Sequence, residues 1–265
     1  MPAIEGKVAL VTGVSSGIGA AIVKELVEQG MLVAGLARRI DRVEALAKSL
    51  VGKKGKLLPI KCDVTSQDDV KKAFATAEKT LGNISVLVNN AGVLKAASLT
   101  KEGAVDGVQL MMSTNVVGLA TCAREGLLSM VKNKTEGTII NINSVAGHFV
   151  LPFHGVGAYN ASKFAVTALT EGLRNEVSAI KANIRVTSLS PGLVESEMSC
   201  QFQKEGEEGL FTEYEMLPAS DIADCVTFIL KSPQRMNVSE MTVSPRNETV
   251  LTQAIVAVKG MDQLL

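Results

Sequence analysis

The sequence predicts an α/β protein in which one doubly wound parallel sheet is carried in a single domain, residues 1–265. Three observations lead there. Short apolar runs rich in β-branched residues alternate along the chain with longer segments of helical periodicity. Those runs are too apolar to have a wet face, as strands covered on both sides must be. The 265 residues are enough for one large α/β unit, and no Pro/Ser-rich linker, internal repeat or shift of composition marks a boundary.

The elements follow in order. Val8 to Thr12 is an uninterrupted apolar run closed by a glycine-rich turn, and the helical pattern after it spans Gly17 to Gln29. Met31 to Ala37 reads as a second buried strand, followed by a helix over Asp41 to Leu50. Leu57 to Lys61 is the third strand, and Gln67 to Thr80 the helix behind it. Val86 to Asn89 is the fourth strand; the longest helical region, Ala104 to Val131, separates it from the strand Thr138 to Asn143. The helix Ala158 to Ile180 leads to the strand Arg185 to Leu189, and Ser220 to Leu230 is the last expected helix. Right-handed crossovers between such parallel strands place helices on both faces. The least regular stretch, Gly192 to Pro218, carries Phe202, Glu205, Glu207, Glu208, Phe211 and Tyr214, and is read as a substrate lid.

Composition narrows the function. Lys plus Arg and Asp plus Glu each number 27, so the net charge is zero and there is no footprint for phosphate backbones or anionic membranes. Aromatics are 3% with no Trp, which leaves few platforms for stacking bases. Apolar residues at 46% and charged residues at 20% exclude disordered and collagenous chains. Cys62, Cys122, Cys200 and Cys225 stand far apart without a CxxC pair, and His148 and His154 have no carboxylate or Cys at ligand spacing. Neither a metal nor a disulfide framework is expected, and His148 is expected to bond backbone. A cytoplasmic chain without a membrane span is the simplest expectation.

Chemistry begins at Thr12-Gly13-Val14-Ser15-Ser16-Gly17-Ile18-Gly19, directly after the first strand. Its glycines let the backbone approach a pyrophosphate, whose charge faces the N–H groups at the start of the next helix. An NAD site would place a carboxylate at the end of the second strand; this chain has Ala37, Arg38 and Arg39. Two guanidinium groups suit a 2′-phosphate, so NADP(H) is expected. Tyr159 and Lys163, four apart, share a helix face, where an ammonium would favour the phenolate and bring Tyr159 into use as acid and base. Ser144 follows the strand ending at Asn143, Asn89-Asn90-Ala91-Gly92 closes the fourth strand, and Asn115 lies in the long helical region.

The ordered set TGVSSGIG, NNAG, Asn115, Ser144, YNASK and Ser190-Pro191-Gly192 resembles the short-chain dehydrogenase/reductase family over nearly the whole chain. That resemblance implies a Rossmann-type fold and a catalytic tetrad of Asn115, Ser144, Tyr159 and Lys163, with Lys163 also on the nicotinamide ribose and Asn115 supporting a relay water. It implies a cofactor site formed by Gly13, Ser15, Ser16, Gly17, Ile18, Gly19, Arg38, Arg39, Asp63, Val64, Asn89, Ala91, Gly92, Tyr159, Lys163, Pro191, Gly192, Val194 and Ser196. Within it, Asp63 contacts adenine, Asn89 also supports the sheet, and Gly192 and Val194 flank the nicotinamide. LARR, VTALTEGLRNE and SPGLVE are similar to the insect farnesol dehydrogenases and their vertebrate dehydrogenase/reductase relatives. Ser196 stands where the family commonly has Thr, and the interval from Ser144 to Tyr159 is longer than usual, which reshapes the substrate wall around His148, Phe153 and His154.

The expected function is therefore NADP(H)-dependent hydride transfer to or from an apolar alcohol or carbonyl substrate, a terpenoid alcohol such as farnesol or a steroid. The alternative keeps the fold and cofactor site in a non-catalytic NADP-binding or scaffolding protein. Family resemblance implies a homodimer or homotetramer joined through the long helices.

Overall fold

The computed structural model describes residues 4–151, 153–200 and 215–246. The strands are β1 (Val8–Thr12), β2 (Leu32–Ala37), β3 (Lys56–Lys61), β4 (Ile84–Asn89), β5 (Gly137–Ile142), β6 (Ile184–Pro191) and β7 (Glu240–Val243). The helices are α1 (Gly17–Glu28), α2 (Ile40–Ser49), α3 (Gln67–Leu81), α4 (Ala104–Met111), α5 (Leu119–Lys132), α6 (Gly157–Ala179) and α7 (Ala219–Lys231). All seven strands are parallel, in the order β3-β2-β1-β4-β5-β6-β7.

Period-two alternation divides β1 between the two faces. Ala9 and Val11 join Ile22, Val23 and Leu26 of α1, Val43 of α2, and Ile222, Val226 and Ile229 of α7. Val8 and Leu10 join Val70, Phe74 and Ala77 of α3, Cys122 and Met130 of α5, and Val177 of α6. The result is three layers, helices on both sides of a sheet with no wet face at its centre.

Two features differ from the sequence reading. β7 was not expected: it is four residues long, each partly or fully exposed, and too short and polar to register as a buried run. The region expected as one helix, Ala104 to Val131, is α4, a π-helical segment Met112–Gly118, and α5. Gly118 closes that segment against Val64, where a Cβ would lie 2.9 Å from Cγ2 of Val64.

The chain direction across the sheet reverses between β1 and β4, so the loops after these strands diverge and leave a crevice at their carboxyl ends. The amino ends gather at the opposite edge, where the exposed turn 51–54 precedes β3 and Gly55 N donates to Val27 O at 2.9 Å.

Candidate active site

The glycine loop owes its shape to contact with the turn after β4. Gly13 sits at φ +73°, and a Cβ there would fall 2.7 Å from Cα of Ala91. Asn90 Nδ2 donates to Thr12 O at 2.9 Å and Gly13 O at 3.2 Å. Thr12 Oγ1 accepts from the amides of Asn90 and Ala91, each at 3.0 Å. The two turns are thereby fastened into one floor.

Above it runs a cleft of about 620 Å³. The expected loop residues Gly13, Ser15, Ser16, Gly17, Ile18 and Gly19 line it, as do Arg38, Arg39, Asp63, Val64, Ala91, Gly92, Tyr159, Lys163 and Ser196. Ser144, Pro191, Gly192 and Val194 line a smaller cavity of about 130 Å³, which shares Tyr159 and Ser196 with the first and has apolar walls from Leu94, Leu151, Phe153, Val156 and Leu193. The two spaces meet at Tyr159.

Asn89 and Asn115 line neither space. Asn89 Nδ2 donates to Asn141 Oδ1 at 2.9 Å, so it joins β4 to β5 as the sheet-supporting half of its expectation has it; Asn90 lines the cleft in its place. Asn115 lies in the π-helical segment, fully enclosed, with Oδ1 accepting from Val93 N at 2.8 Å and Nδ2 donating to Val93 O at 2.9 Å and Ser162 Oγ at 3.1 Å. It clamps the chain after β4 to α6 from behind the site.

The Ser144 hydroxyl, which accepts from Ala146 N at 3.1 Å, stands beside the Tyr159 phenol. Lys163 Nζ donates to Ile142 O at 3.0 Å and Asn143 O at 3.2 Å, at the carboxyl end of β5, and stands 5.8 Å from the centre of the Tyr159 ring. Burial outweighs the expected pull of Lys163 on Tyr159 toward its phenolate. It pushes the Tyr159 phenol up to about 12, the Ser144 hydroxyl acting the other way, and pulls Lys163 down to about 8. At neutral pH the site therefore holds a protonated phenol beside an ammonium.

The donors suit a dinucleotide. Lys163 spends two bonds on carbonyls and has a third N–H to give. Thr114 Oγ1 and Asn143 Oδ1, on two residues that line the large cleft, are buried without a hydrogen-bond partner among the described residues. Buried polar atoms of this kind ordinarily find one. Asp63 Oδ1 accepts from Thr65 N and Thr65 Oγ1, which fixes the carboxylate at the cleft wall.

At the far end, Arg39 Nη2 donates to Ser15 Oγ at 2.9 Å and Ser16 Oγ at 3.0 Å, tying the end of β2 to the glycine loop. Arg39 also pairs with Glu197 at 2.9 Å, and Arg42 pairs with the same carboxylate. Neither Arg42 nor Glu197 was found from the sequence, because a pair 155 positions apart has no local signature. His148 differs from its expectation too: its Nε2 meets Ser190 Oγ at 3.0 Å and Glu240 Oε1 at 3.3 Å rather than backbone.

The ends of the expected lid are joined. Val194 bridges Leu217, with Glu195 N donating to Leu217 O at 2.9 Å and Leu217 N to Leu193 O at 3.0 Å. Phe202, Glu205, Glu207, Glu208, Phe211 and Tyr214 lie outside the described residues.

Comparison with known proteins agrees with this geometry. A farnesol dehydrogenase of Aedes aegypti is 43% identical over 244 residues, covering 92% of this chain and 97% of that one. A dehydrogenase/reductase SDR family member 11 of Gallus gallus is 39% identical over 249 residues, covering 92% and 97%. The closed form of a serine dehydrogenase complexed with NADP+ superposes with a TM-score of 0.79 at 29% identity, covering 89% of this chain and 94% of that one. With the short chain dehydrogenase family model matching residues 7–207, and the floor, cleft and Ser144-Tyr159-Lys163 cluster in place around it, the chain belongs to the short-chain dehydrogenase family of oxidoreductases.

Proposed function

We propose that this oxidoreductase uses NADP(H) to interconvert an apolar alcohol and its carbonyl compound, with a terpenoid alcohol of farnesol type or a steroid as the substrate class. The observation that carries the reading is the meeting of the two spaces at Tyr159: a polar dinucleotide-sized cleft on one side and a small apolar cavity on the other. Held by the glycine loop and Lys163, the bound cofactor would supply the hydride in reduction and accept it in oxidation.

The chain's own residues do the rest. Tyr159 Oη gives its proton to the carbonyl oxygen as the new C–H bond forms, and takes one from the alcohol in the reverse direction. Ser144 Oγ, beside Tyr159, holds the same oxygen. The Lys163 ammonium stabilises the phenolate left after transfer, anchored by the carbonyls of Ile142 and Asn143. Asn115 positions the floor without touching substrate. Arg38 and Arg39, at the cleft wall, would hold the 2′-phosphate.

A homodimer or homotetramer belongs to the same reading. It is supported by outward apolar side chains on the long helices, Leu128 and Val131 of α5 and Phe164 and Leu169 of α6. A cytoplasmic site of action is supported by four free cysteines. No helix among the described residues is long and apolar enough to cross a membrane.

The test is Tyr159→Phe, followed by NADPH absorbance with farnesal and a steroid ketone. The variant keeps its ring and its cofactor affinity, and kcat falls by about 10²-fold to 10⁴-fold. Turnover near the parent rate would remove Tyr159 as the proton donor.

A further inference from the structure

The sequence places no carboxylate at the end of β2, where a site for an unphosphorylated ribose would have one. The fold delivers one from elsewhere. Glu197, helical like the residues to 200 after β6, reaches across to Arg39 and Arg42, with the Ser16 hydroxyl beside it. Its carboxylate thus has two guanidinium groups and a hydroxyl around it, the donor set that a phosphate monoester takes. The Arg42 hydrogen bond, with smaller help from Arg39 and Ser16, holds the Glu197 carboxyl down at about 2, so it stays charged throughout the working range.

We infer that Glu197 is a specificity-determining residue, an internal carboxylate that competes with the ribose 2′-phosphate for Arg39 and blunts the preference for NADP(H). The inference rests on the proposal that Arg38 and Arg39 form the 2′-phosphate seat. A phosphate at Arg39 carries close to two negative charges and cannot share that guanidinium with a carboxylate without repulsion. Glu197 therefore has to swing out. The side chain is 52% exposed, so water receives it, and the cost of displacement is the loss of its ion pairs with Arg39 and Arg42. A ribose 2′-hydroxyl poses no such conflict, since a carboxylate accepts a hydrogen bond from it.

The test uses the complete folded protein and two mononucleotide probes, adenosine 2′,5′-bisphosphate and adenosine 5′-monophosphate, by titration calorimetry, with no turnover required. Glu197→Gln keeps the shape and removes the charge. It tightens the bisphosphate by about tenfold, the scale of one neighbouring charge near a surface, and leaves the monophosphate unchanged or weaker. Glu197→Asp keeps the parent ratio. A bisphosphate affinity that is unchanged or weakened in Glu197→Gln overturns the inference, even where the parent strongly prefers the bisphosphate and the NADP(H) reading survives. If the parent shows no preference but Glu197→Gln gains one, the inference stands and the parent's proposed cofactor choice fails. No preference in either protein overturns both.

Discussion

Tyr159 and Lys163 show how burial assigns work to two titrating groups. The i, i+4 spacing was legible, and with it the shared helix face, because both follow from the pitch of an α-helix. The direction of the proton affinities was not, since spacing says nothing about depth: both side chains lie almost wholly inside. With the phenol raised to about 12 and the ammonium lowered to about 8, the pH dependence has a definite sign. For carbonyl reduction, kcat/KM stays level below about pH 8 and falls above it as Lys163 loses its proton. For alcohol oxidation, which needs the phenolate beside the ammonium, the rate rises up to about pH 8 and is level above it, because the pair must lose one proton and keep the other. Profiles measured in both directions check this, and a reduction rate level from pH 7 to 10 would remove the ammonium from the mechanism.

The π-helical segment Met112–Gly118 matters among the elements because it turns Asn115 toward the chain after β4. A wider turn of this kind is a recurrent device at functional sites. Hydrophobic periodicity found the helical region on either side but passed over the segment, since one extra residue in a turn barely disturbs a pattern read over many. Asn115→Ala leaves the Val93 amide and carbonyl without the side chain that now satisfies both. The expected cost is about 1–3 kcal/mol of stability for buried groups stripped of a partner. Thermal unfolding checks that figure. Since Asn115 acts through the floor rather than on substrate, kcat falls while the dissociation constant for adenosine 5′-monophosphate, measured by calorimetry, stays within about twofold, as expected for loss of orientation.

Across the whole molecule, the layers and the sheet were legible because apolar strands and amphipathic helices alternate without a break, whereas β7, whose residues alternate between exposed and half-covered at the sheet edge, was not. Contacts made by folding rather than by sequence neighbourhood escaped in the same way, Glu197 on Arg39 and His148 on Glu240 among them. An all-parallel sheet also sorts its ends: the residues of the proposed chemistry gather where the strands finish, and the turns where the strands begin carry none of it. That second edge is a handle. A short peptide tag inserted between Gly52 and Lys53, in the exposed turn before β3, extends a loop at a cost of about 0.6 kcal/mol per doubling of its length. Immobilised by that tag on a solid support, the protein would face the solution with both clefts open, so nucleotide affinity on the surface and in free solution would agree. An enzyme held by its quiet edge can be washed, reloaded and reused in one fixed orientation.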